Sequence, residues 1–190
     1  LFEAIPCVDD DGVPVAGGNC DLDERRFDAC SECHGTAENS LLKFEIYNEE
    51  LTGYLKSIWD DVNHNDTLDV AGADTGLLVR IVQLGDWTIL NQDDDFFTVA
   101  EGILFNAQLA HTHETHWFEE AYLPIGADSL GAPEYDEFGT HPASGGGMHN
   151  PTLLRSLLVA SIAAGTSYYN VAPPAGVSLQ LPPDSPIKRK

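Results

Sequence analysis

Ala29-Cys30-Ser31-Glu32-Cys33-His34-Gly35 is the stretch from which the rest of the chain is read. Two thiols with two residues between them, followed at once by a histidine, have the spacing at which cysteines add across the two vinyl groups of one haem. The histidine is then placed beneath the iron as an axial ligand. A flat macrocycle held this way needs walls, so the expected fold is mainly α: haem-enclosing helices joined by long irregular loops, with little or no sheet. Zinc competes for the same residues, because Cys7, Cys20, Cys30 and Cys33 make four thiolates and His34 can replace one of them. Structural zinc usually shows two close-spaced pairs, whereas Cys7 and Cys20 are far apart in sequence. A thioredoxin-like pair is the third reading, and no strand-rich βαβ pattern precedes the motif.

The charge narrows the classes. Among 190 residues, 31 acidic side chains face 9 basic ones, giving a net charge of −22. Such a surface excludes nucleic acid as a partner and disfavours anionic membranes. It suits a secreted protein, a salty medium, cation binding or a basic redox partner, and equally a solvated acidic surface with no specific partner. No apolar run is long enough to cross a bilayer, and the chain shows no signal-peptide pattern, so it is read as mature. Haem is attached to cysteine outside the cytoplasm, where disulfides also persist. A periplasmic or extracellular location is therefore expected. Cys7 and Cys20 lack haem spacing and are expected to pair as a disulfide that pins the Gly- and Asp-rich N-terminal loop.

Three segments follow: residues 1–22 as an N-terminal arm, 23–168 as the haem domain, and 169–190 as an extended Pro-rich tail. Pro6, Gly12, Pro14, Gly17 and Gly18 break any periodicity in the arm. A short helix is expected over Glu24 to Cys33, and Asn48 is expected to cap the next. Leu51, Tyr54, Leu55, Ile58, Trp59 and Val62 then share one face at helical spacing. Directly afterwards, Asp61, Asn63, Asn65, Thr67 and Asp69 put oxygen-bearing side chains at alternate positions, like the first nine positions of a calcium loop. Asp66 stands where such loops carry glycine, and Gly72 where they carry a bidentate glutamate, so a polar loop of Asx turns remains the other reading. Asp74 is expected to cap a helix from Thr75 to Leu84, although Leu77–Val82 also fits a strand. Thr98-Val99-Ala100-Glu101 is a capping box, with a long helix expected through Trp117. Residues 119–147, rich in Gly and Pro, read as one long loop.

Near residue 150 the chain becomes specific again. Asn150 is a good N-cap and Pro151 suits a first helical position. The helix they open carries Leu153, Leu154, Leu157, Leu158 and Ser161 and is expected to end near Gly165. His149 thus sits just before a rigid helix start, preceded by three glycines (Gly145, Gly146, Gly147) whose backbone can lie close to a flat ligand. That is a suitable position for a sixth iron ligand. The adjoining Met148 is the rival ligand, and His64 and His141 are weaker ones.

Taken together, Cys30-Ser31-Glu32-Cys33-His34, Phe105-Asn106 and Gly147-Met148-His149-Asn150-Pro151 with its leucine-rich helix resemble multihaem c-type cytochromes. The resemblance spans about residues 98–164 plus the haem motif. It implies a six-coordinate, bis-histidine haem c with His34 and His149 as ligands, and Phe105 and Asn106 beside the macrocycle. This chain departs from the family in carrying a single haem motif, so a relay of electrons along a row of haems would have to run between subunits. The implied function is electron transfer to a redox partner or to neighbouring copies in a homo-oligomer or filament, with the arm and tail lying on other subunits. Two other classes compete: a haem enzyme of peroxidase or nitrogen-oxide reductase type with an exchangeable sixth ligand, and a zinc- or calcium-braced interaction module. His111, His113 and His116 follow closely on one predicted helix. His113 and His116 are expected on one face, either touching a metal or haem across an interface or as ordinary surface histidines.

Overall fold

The computed structural model describes residues 7–8, 14–15, 35–84, 89–91, 95–118, 121–137 and 151–179. The chain divides into two units, Leu1–Glu49 and Glu50–Lys190. The described residues are mainly helical with little sheet, as expected. In the first unit, β1 (Cys7–Val8) pairs antiparallel with β2 (Pro14–Val15), Cys7 opposite Val15. The arm is therefore not wholly irregular. Pro14, read as a breaker of periodicity, stands in the second of these strands. The helix expected over Glu24 to Cys33 lies outside the described residues.

Helix α1 (Ala37–Ile58) begins in the first unit and ends in the second. Its start is set by Thr36, whose hydroxyl accepts from the Asn39 amide at 3.2 Å. Asn48, expected as a cap, lies inside this helix. With Thr36 already capping and no Gly or Pro before Asn48, nothing interrupts the helix, and one mid-helix Asn costs only a fraction of a kcal/mol, roughly 0.7 at most. In the second unit Leu51, Tyr54, Leu55 and Ile58 are buried as the periodicity predicted, and Trp59 joins them. Burying each Leu or Ile contributes about 1.5–3 kcal/mol. Val62, counted on the same stripe, is 46% exposed. The helix has ended at Ile58, and Asp60 pairs instead with Thr75, amide to carbonyl at 2.9 and 3.3 Å.

Helix α2 (Leu77–Val82) is shorter than expected, and Asp74 does not cap it. Its N-cap is Gly76 at φ +117°, where a Cβ would lie 2.6 Å from the Ile58 carbonyl oxygen. Only glycine fits there. The strand alternative for 77–82 fails as well. Leu77, Leu78, Ile81 and Val82 are all buried around one short helix.

Helix α3 (Val99–Ala110) opens with the predicted capping box. Thr98 Oγ1 accepts from the Glu101 amide at 3.1 Å, and Glu101 Oε2 accepts from the Thr98 amide at 2.6 Å. It stops at Ala110, short of Trp117, because His111 leaves helical geometry. The chain continues as a 3₁₀ turn, His113–Phe118, kinked at Thr115. Local side chains compete for the backbone here: Thr115 Oγ1 accepts from the Thr112 amide at 2.9 Å, and Thr112 Oγ1 meets Thr52 Oγ1 at 2.7 Å.

The long loop expected over 119–147 is in part a hairpin of β3 (Tyr122–Ala127) and β4 (Pro133–Glu137), with a register shift between Pro124 and Gly126. Residues that read as breakers make its bulge and turn. Asp128 Oδ1 accepts from the amides of Leu130 and Ala132, each at 2.8 Å.

Helix α4 (Pro151–Tyr169) starts where Pro151 predicted but runs past Gly165. A Cβ at Gly165 would lie 2.5 Å from Ile103 Cδ1 and 3.0 Å from Leu77 Cδ2, so this glycine is a notch that lets α4 approach α3 and α2. The helix ends at left-handed Asn170, with the Val171 amide donating to the Thr166 carbonyl at 3.2 Å. The core of the second unit is thus helix on helix, built from the last turns of α1 with α2, α3 and α4. The tail departs from expectation over 171–179. Val171, Val177 and Leu179 pack on that core, and Arg80 Nη1 donates to the Ala172 carbonyl at 2.8 Å. Residues 180–190 lie outside the described residues. No described helix is long and apolar enough to cross a membrane.

Candidate functional site

Cys30, Cys33, His34, Met148, His149 and Cys20 lie outside the described residues, as do His141 and the three glycines, and Cys7 is described by its backbone alone. Of the residues expected to hold or flank a haem, the structure describes only Phe105 and Asn106. Helix α4 starts two residues beyond His149, and Phe105 and Asn106 lie on α3. Asn106 uses its amide to bridge the helices, Nδ2 donating to Ser161 Oγ at 3.0 Å. Phe105 and Leu109, one turn apart, are partly exposed on α3, and Leu153 is exposed on the first turns of α4. Both helices thus carry exposed apolar side chains.

The second candidate is the segment 60–75. The Asp60–Thr75 pair closes its neck, and its far side is fastened to β3. The Tyr122 amide donates to the Asp66 carbonyl at 2.7 Å, and the Leu68 amide to the Tyr122 carbonyl at 2.9 Å. His64 and Asp66 both take left-handed backbone conformations, which produces the sharp turns that the Asp/Asn-rich sequence tolerates.

Of the five residues expected to face a cation, three come together. Asp69 Oδ2 accepts from Asn63 Nδ2 at 2.7 Å and from Asn65 Nδ2 at 3.3 Å. The other two turn to the backbone. Asp61, 1% exposed, accepts from the amides of Asn65 and Asp66 at 3.4 and 2.8 Å. Thr67 Oγ1 donates to the Asn65 carbonyl at 3.2 Å.

The residue that sequence reasoning missed is Asp74. It is 6% exposed and accepts three hydrogen bonds: from Trp59 Nε1 at 2.9 Å, the Asp69 amide at 3.0 Å and the Val62 amide at 3.2 Å. Burial pushes its carboxyl above the ordinary carboxylate range, aided by the Asp61 charge, while the bonds from Trp59, Asp69 and Val62 pull the other way. The Tyr135 phenol on β4 is likewise pushed up, chiefly by burial and then by the charges of Asp69 and Asp74.

His113 and His116, expected on one face of a helix, lie instead on a kinked 3₁₀ turn. Thr115 breaks the turn between His113, described by its backbone alone, and His116. His116 is exposed, with Nε2 3.8 Å from Asp66 Oδ1. His111 is buried against the Gln108 carbonyl, 2.6 Å from its Nδ1. A carbonyl only accepts, so Nδ1 carries the proton. Among the described residues, no three His, Cys, Asp or Glu side chains converge as a metal site. No protein-family model, curated protein or solved structure matches the chain.

Proposed function

We propose that the chain is an extracytoplasmic single-haem c-type cytochrome that carries electrons. Cys30 and Cys33 hold the macrocycle, and His34 and His149 ligate a low-spin iron, Met148 being the alternative to His149. The observation that carries this reading is the coincidence of Cys30-x-x-Cys33-His34 with a helix that opens at Pro151, directly after His149-Asn150. Bound haem c supplies reversible one-electron chemistry. The chain's own part is to fix the ligands, hold α3 against α4 through Asn106 and Ser161, and present Phe105, Leu109 and Leu153 as apolar cover. The acidic surface suits a basic redox partner, and relay between neighbouring copies in a homo-oligomer or filament belongs to the same reading.

An alkaline haemochrome spectrum and a haem stain that survives denaturation test this reading. Cys30→Ala and Cys33→Ala lose covalent haem, and His149→Ala turns the spectrum high-spin while Met148→Leu does not. Stoichiometric zinc with no iron overturns the proposal. Rapid cyanide binding by the native protein would favour the haem-enzyme class. A methionine-to-iron charge-transfer band in the near infrared would move the sixth ligand to Met148.

A calcium ion braced by the 61–69 loop is a subordinate reading. It is favoured by two buried neighbouring carboxylates, Asp61 and Asp74, that have no ion-pair partner among the described residues. A thermal midpoint that rises with calcium, and does so less in Asp69→Asn, supports it. Equal midpoints with calcium and with chelator reject it.

A further inference from the structure

We infer that Asn65 is a site of N-linked glycosylation, which rests on the extracytoplasmic placement proposed above. Asn65-Asp66-Thr67 is an Asn-x-Thr acceptor sequence. The other asparagine with a hydroxyl residue two positions on is Asn150, and Pro151 between them disqualifies it.

The structure presents the acceptor as the chemistry needs it. Asn65 is exposed at the tip of the 60–75 loop, between two left-handed residues, His64 and Asp66, that project it from the surface. Its Oδ1 accepts from the Thr67 amide at 3.0 Å, so the carboxamide is held with its nitrogen turned outward from that bond. Nδ2 makes one long contact, 3.3 Å to Asp69 Oδ2, and carries two hydrogens, so one is left when the other is replaced. The loop is anchored at its neck and along β3, so a sugar at its tip leaves the helical core untouched.

The co-reactant is a lipid-phosphate-linked oligosaccharide presented by a transferase. Asn65 Nδ2 attacks the anomeric carbon, and the carbon–oxygen bond to the lipid phosphate breaks. The lipid phosphate leaves and one amide proton passes to a base, with no change of oxidation state.

The test uses protein purified from its native cells, with a peptide map by mass spectrometry alongside the haemochrome spectrum. The expected result is a sugar-bearing peptide containing Asn65. The modification is lost in Asn65→Gln and Thr67→Ala and kept in Thr67→Ser, with the haem spectrum the same in all. An unmodified Asn65 peptide in a haem-loaded protein overturns the glycan inference and leaves the haem reading standing. Absence of haem together with a glycosylated peptide does the reverse.

Discussion

Trp59 and Trp117 sit edge to face in the same core, ring centres 6.4 Å apart, yet their indole nitrogens have opposite fates. Trp59 Nε1 donates to the buried Asp74, whereas Trp117 Nε1 is buried with no partner among the described residues. Truncation to Phe removes similar volume from both, so the difference between them isolates the hydrogen bond. Trp59→Phe is expected to cost about 1–3 kcal/mol more than Trp117→Phe, since it strips a donor from a buried carboxylate. Urea unfolding of the two variants decides it, and equal losses would show that the Trp59–Asp74 bond carries no net stability.

Asp74 itself makes a prediction about pH. Its carboxyl is held above the ordinary range, so the folded state binds that proton more tightly than the unfolded one. The sign follows: Asp74 contributes most below its unfolded pKa, and the contribution is lost as pH rises through the folded one. Wild type should therefore gain stability on Asp74→Asn as pH falls through the carboxylate range. A gap that instead widens in favour of wild type as pH rises would contradict the assignment. None of this was legible in the sequence. An Asp directly before the apolar run from Thr75 to Leu84 looks like a helix cap, and its true donors come from Trp59, Val62 and Asp69.

At the scale of elements, signals closed within a few residues read correctly. The Thr98–Glu101 box and the buried stripe from Leu51 to Ile58 needed only helical spacing. Helix ends read badly, because tertiary partners set them. α3 stops where Thr112 finds Thr52, and α4 runs on because Gly165 faces Ile103. The hairpin at 122–137 was hidden by Pro124, Gly126, Gly131 and Pro133, which look like loop residues but serve as bulge, turn and strand start. Gly165 gives the element-scale prediction. Gly165→Ala improves helix propensity by about 1 kcal/mol yet forces a methyl into Ile103, an overpacking cost of about 1–3 kcal/mol. The net expectation is a lower thermal midpoint, largely restored by Ile103→Val in the same chain. A higher midpoint for the single variant would show that α3 and α4 separate easily.

For the whole molecule, the imbalance of 31 acidic against 9 basic residues dominates. Like charges repel in the folded state, and salt screens them over about 10 Å at 0.1 M. The urea midpoint should accordingly rise with sodium chloride, and a midpoint independent of salt would mean that the carboxylates are already compensated. The Cys30-x-x-Cys33-His34 spacing, by contrast, is written in sequence alone, and the haem drawn from it is the proposal made above. Cys30, Cys33, His34 and His149 lie outside the described residues, whereas Phe105 and Asn106 stand on α3 and α4 opens at Pro151.

The paired neck of the 60–75 segment has a practical consequence. Asp60 and Thr75 exchange backbone hydrogen bonds and Asp66 and Leu68 bond to Tyr122, so the exposed turn at His64 is held on both sides. A fluorophore or affinity handle attached at His64 would ride on the molecule without unthreading it. That offers a port for immobilising the protein on a solid support in one defined orientation.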